Sequence, residues 1–134
     1  MNAICIVLDR LHVGFLGAYG NSWVGTPALN RLAAESFVFD QVLVDTPLLE
    51  LLYRSYWSGR HALCPQQAEL PSLPELLRQA GVASVLLTDE KLVGEHPLAG
   101  HFDELAAIDP PWQPQVAADI EQTHLAGCFA QIID

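Results

Sequence analysis

The sequence is poor in positive charge: one Lys and five Arg stand against 16 Asp and Glu in 134 residues, a formal net charge of -10. Nucleic acids and anionic membrane surfaces are held by clustered Lys and Arg, so composition excludes both as partners. Long apolar runs are also missing, and the longest, such as residues 3–8, fall far short of the roughly 20 residues that cross a bilayer. The opening MNAICIVLD has no basic stretch and meets Asp9 directly after its apolar run. That pattern argues against a secretion signal and for a cytoplasmic chain. Cysteine is scarce: Cys5, Cys64 and Cys128 are odd in number and lack C-x-x-C spacing, which speaks against a disulfide framework and a zinc knuckle. Cys5, inside an apolar run, is expected as a core thiol.

What is there reads as a folded domain. Hydrophobic residues make up 51% of the chain and charged ones 16%, too apolar a balance for disorder. A globule of this mass exposes roughly 7,000 Å² and hides about two-thirds of its unfolded surface, enough for one core and one domain over residues 1–134.

Short apolar runs alternate with helical periodicity, the pattern of an α/β fold: a mainly parallel sheet with helices on both faces. Residues 3–8 read as a strand covered on both sides and ending at Asp9. A loop punctuated by Gly14, Gly17, Gly20 and Gly25 follows. Thr26-Pro27 then opens a helix, a capping hydroxyl before Pro at the first helical position. Residues 37–44 alternate as a second strand. Thr46-Pro47 opens another helix that runs toward Ser58-Gly59 and leaves little polar face, so burial nearly all round is expected, with Glu50 and Arg54 paired one turn apart. Ser72-Leu73-Pro74-Glu75 is a capping box, and Gly81 marks that helix's end. A strand over residues 83–87, the polar turn Gly100-His101-Phe102-Asp103-Glu104, and a last helix from Val116 with His124 and Cys128 on its apolar stripe complete the pattern.

Several of these segments resemble one family. IVLDRLHVGFLGAYGN is similar to the opening strand and loop of the sulfatases, in the alkaline-phosphatase-like superfamily, where a strand ends in a metal-binding Asp before a Leu-Gly-x-Tyr-Gly element. GTPALNRLAAESFVFDQV resembles the family's next helix and strand, and TPLLELLYRSYWSGRHAL lies where its nucleophile helix ends in Thr/Ser-Gly-Arg, here Ser58-Gly59-Arg60. SLPELLRQAGVASVLLTDE and GHFDEL resemble the following helix, strand and Gly-Phe-Asp turn. The likeness covers positions 3 to about 105, the N-terminal part of the family's domain.

The resemblance implies hydrolysis of sulfate esters by a Cys or Ser matured to formylglycine, beside a divalent cation, usually calcium. Asp9 then matches the first metal carboxylate. Its neighbour is Arg10 where sulfatases often carry a second Asp. Counting back from Ser58, the Cys/Ser-x-Pro-x-Arg motif falls on Leu49, Leu51 and Tyr53, so all three defining residues are absent. The Gly-Lys-x-His segment falls on residues 88–91, which brings Asp89 and Lys91 into a sulfate-binding stretch.

Chemistry points the same way. A leucine has no heteroatom for covalent catalysis. Calcium takes six to eight oxygen ligands, and one carboxylate beside Arg10 offers far too few. Asp89 and Glu90 would repel a sulfate ester. The expectation is a sulfatase-like domain, partial relative to the family, without turnover and with a binding or structural role. Two alternatives stay open: an ester hydrolase using Ser55 or Ser58, and a receiver-like acidic switch in which Asp9, Asp40 and Asp89 cluster near Lys91. The five histidines show no zinc spacing, with His124 expected half-buried on its helix, and Tyr53, Tyr56 and Trp57 read as core. An uncovered sheet edge predicts a homo-oligomer or a missing C-terminal half.

Overall fold

The computed structural model describes residues 2–8, 11–64, 70–109 and 118–133. They fall into two compact units, residues 1–42 and residues 43–134.

The first unit is built on two 3-10 turns, Val13–Phe15 and Gly17–Tyr19, and on helix α1, Pro27–Glu35. Pro27 starts the helix as expected, but the Thr26 hydroxyl does not cap it. Thr26 Oγ1 instead accepts the Gly17 N–H at 2.8 Å and donates to Asn30 Oδ1 at 3.0 Å, so it ties the glycine loop to α1. A Cβ on Gly17 would stand 2.4 Å from Asn30 Nδ2, so any larger residue there forces the Asn30 side chain to move. Asn21 closes the rest of the loop: its Oδ1 accepts from the Trp23 and Val24 amides, and its Nδ2 donates to the Phe15 carbonyl.

The second unit holds α2 (Leu49–Ser58), α3 (Leu73–Gln79), β1 (Val85–Thr88), α4 (Lys91–Gly94), β2 (Glu104–Ala107) and α5 (His124–Ile133). Strands β1 and β2 pair in parallel with Val85 opposite Glu104 and Thr88 opposite Ala107. The crossover between them carries α4 and a 3-10 turn, Pro97–His101. The core lies beside it: Trp57, Val93 and Ala99 are buried, with Tyr53, Leu86, Leu98 and Phe102 packed around them. Trp57 meets Phe102 edge-on at 5.3 Å between centroids, a favoured aromatic geometry.

The α/β class stands, but the sheet has two strands among the described residues, not the larger parallel sheet expected. Residues 3–8 and 37–44 form no strand, and Cys5 is exposed rather than in the core. The reason is that a strand's hydrogen bonds all go to its neighbours, so an apolar run without a partner has nothing to form a ladder with. Helix α2 begins at Leu49, where Thr46-Pro47 suggested an earlier start, because the Thr46 hydroxyl accepts the Leu48 N–H at 3.2 Å and holds that residue outside the helix. Only Trp57 of α2 is buried, so this helix is half-covered instead of enclosed. The α3 capping box is present, with Glu75 Oε2 accepting the Ser72 N–H at 2.7 Å. His124, expected half-buried, is exposed.

Candidate functional site

Helix α2 and the turn after it carry the positions where nucleophilic chemistry was sought. Leu49 is its first residue and is half-buried, as are Leu51 and Tyr53. Tyr53 turns its ring to Trp57 at 5.2 Å and to Tyr56 at 5.9 Å. Tyr53 therefore packs against the aromatic core. Tyr56, expected in the core with its neighbours, is exposed at the rim.

The helix ends in Ser58-Gly59-Arg60 because Gly59 adopts φ 66°, the left-handed conformation that closes a helix with least cost for glycine. Its N–H donates to the Ser55 carbonyl at 2.8 Å. The chain then folds back, and the Ala62 peptide is gripped on both sides. Asp45 Oδ2 accepts the Ala62 N–H, and Arg54 Nη2 donates to the Ala62 carbonyl, each at 2.5 Å. Asp45 Oδ2 also accepts the Ser55 hydroxyl at 2.7 Å. These two donors hold the Asp45 carboxyl below its ordinary value of 3.8, with His61 adding a weaker attraction. Ser55, one of the alternative nucleophiles, thus spends its proton on a carboxylate too weakly basic to activate it.

Asp89 and Lys91 sit just past the carboxyl end of β1, the position where parallel sheets place ligands. Both are exposed, and the Lys91 ammonium lies 3.6 Å from Glu95 one turn along α4. Glu90 caps that helix by accepting the Leu92 N–H at 3.3 Å. Asp9 and Arg10 lie outside the described residues, and so does any part they take in a cation site. Among the described residues no group of three or more His, Cys, Asp or Glu comes together to hold a metal.

Two polar clusters were not legible beforehand. His96 is buried against Trp57, with its Nδ1 accepting the Leu98 N–H at 3.1 Å and its Nε2 3.1 Å from the Glu50 carbonyl. Nε2 therefore carries the proton, and burial depresses the pKa below 6.5. Ser72, His101 and Glu75 have the composition of a catalytic triad without its geometry. Ser72 Oγ and Glu75 Oε2 lie 2.9 and 3.2 Å from the same nitrogen, His101 Nδ1. A triad needs the two partners on opposite ring nitrogens. Ser72 is also buried, at 2% exposure, so no substrate reaches it. Arg78 extends the cluster to Asp103 at 2.7 Å, and Asp103 accepts the Ser84 N–H at 2.8 Å, which pins α3 to the turn before β2.

With this geometry in place, known proteins decide the ancestry. An N-acetylgalactosamine-6-sulfatase of Sus scrofa is 32% identical over 133 residues, covering 77% of this chain and 24% of the relative. The chain is related to the sulfatases. The Homo sapiens N-acetylgalactosamine-6-sulfatase matches to the same extent. A steryl-sulfatase of Mus musculus is 38% identical over 60 residues, covering 45% of this chain and 10% of the relative. The chain thus spans about a quarter of the length of the first of these sulfatases. No family model matches, and no solved structure matches. Among the described residues no helix is long and apolar enough to cross a membrane.

Proposed function

We propose that this sulfatase-like chain has no ester-hydrolase chemistry of its own and serves a binding or structural role. The observation that carries the reading is Tyr53: the position of the motif's arginine is taken by a ring packed on Trp57, and the nucleophile position, Leu49, has no heteroatom. The acidic stretch of Asp89 and Glu90 beside β1 supports it, because it opposes an anionic ester.

The test is hydrolysis of an aryl sulfate and an aryl phosphate by the purified chain, with calcium and with magnesium. No turnover above buffer is expected. Turnover that Ser58→Ala or Ser55→Ala abolishes would overturn the reading in favour of an active hydrolase with a different nucleophile.

A further inference from the structure

Among the described residues the buried polar side chains are Thr46, Ser72, Ser84 and His96, and of these only His96 can take up a proton near neutral pH. Its ring stands edge-on to Trp57 at 5.1 Å between centroids, and Trp57 packs in turn with Val93 and Ala99. Both ring nitrogens are committed. Nδ1 accepts the Leu98 N–H at 3.1 Å, which caps the 3-10 turn Pro97–His101. Nε2 donates to the Glu50 carbonyl in the first turn of α2 at 3.1 Å, across 46 residues of sequence. One acceptor and one donor make a neutral imidazole, and in that form the ring joins α2 to the crossover between β1 and β2.

We infer that His96 is an acid-released latch between α2 and the crossover: a proton on Nδ1 expels the ring from the core and uncovers Trp57. The proton turns Nδ1 from acceptor to donor and sets it against the Leu98 N–H, also a donor, so the bond that caps the turn becomes a repulsion. The ring also becomes a cation in an apolar site that denies it hydration. Rotation toward water relieves both, and it removes the bond to Glu50 and the ring packed on Trp57. The charges around His96 do not hold the cation in place. From α2, Glu50 favours the charged ring and Arg54 opposes it, and burial outweighs the attraction of Glu50. The Arg54 guanidinium is itself bound to the Ala62 carbonyl. From α4, Lys91 and Glu95 pair with each other on the exposed surface. The face that release uncovers is aromatic, since Tyr53 and Phe102 pack against Trp57.

This inference stands apart from the proposed function, being read by fluorescence and not by turnover. With Trp23 and Trp112 replaced by Phe, Trp57 is the one tryptophan left. Between pH 6.5 and pH 4.5, where Glu75 is still ionised, its emission should move to the red and acrylamide should quench it more, reversibly and with an unchanged far-UV circular dichroism spectrum. His96→Asn keeps an acceptor for the Leu98 N–H and takes up no proton, so in that background the Trp57 signal should stay level over the same range. In the unsubstituted chain the Leu98 amide resonance should shift together with the His96 ring. A Trp57 signal level down to pH 4.5, a pH response that survives His96→Asn, a Leu98 amide that does not follow the ring, or loss of the helical spectrum along with the fluorescence change would overturn the latch.

Discussion

Asp45 and Ser55 are ten residues apart in sequence and 2.7 Å apart in space, the hydroxyl donating to the carboxylate that also takes the Ala62 N–H. One side chain thereby joins the segment before α2, its second turn and the loop beyond it. Asp45→Ala removes both hydrogen bonds and leaves the Ala62 N–H without its partner, whereas Ser55→Ala removes one bond and keeps the loop pinned. Urea unfolding followed by circular dichroism should place the midpoint of Asp45→Ala below that of Ser55→Ala, and Ser55→Ala below the parent. Equal midpoints for all three would mean that the clasp contributes nothing.

Acid should loosen the second unit through Glu75 and Asp103. Hydrogen bonds from Ser72 hold Glu75 below 4.5, and those from Arg78 and Ser84 hold Asp103 below 3.8. A carboxyl depressed in the folded state contributes stability above its unfolded value, and that stability is lost as pH falls through the folded value. Thermal unfolding should therefore be nearly level for these groups above pH 4.5 and fall below it. Asp103→Asn should start lower and lose less on acidification.

His96 adds a second dependence at milder pH. Burial favours its neutral form, so the unfolded chain binds the proton more readily, and stability declines as pH drops below 6.5. An NMR titration should show the His96 ring protonating below 6.5. A His96 resonance titrating above 6.5 would contradict its tautomer and its burial.

Glycine substitutions should separate conformational cost from crowding. Gly59→Ala meets no atom within 4 Å but must keep φ 66°, at a cost of roughly 1–2 kcal/mol. Gly17→Ala has no such φ and collides with Asn30, so Asn30 must leave Thr26. Unfolding midpoints should drop for both, and adding Asn30→Ala should recover part of the crowding loss at Gly17 while doing nothing for Gly59.

Helices were legible where their signals are local. Ser72 and Glu75 are three residues apart and cap α3 as their spacing requires, and Gly59 ends α2 through its own backbone freedom. Strands were legible only where the partner was at hand. Residues 85–88 had one in residues 104–107, across a crossover that packs on the same core, while residues 3–8 and 37–44 had none among the described chain.

The amino-acid sequence alone determined the sulfatase ancestry, the absence of a heteroatom at Leu49, the helix caps and the acidic balance, because each depends on residue identity or on spacing within a turn or two. Only the tertiary structure decided that Tyr53 joins Trp57, that Asp45 and Arg54 hold Ala62 beyond the end of α2, that His96 is buried with its proton on Nε2, and that residues 37–44 are exposed. Those outcomes depend on which distant segments meet, and no local pattern encodes a contact whose partner lies tens of residues away.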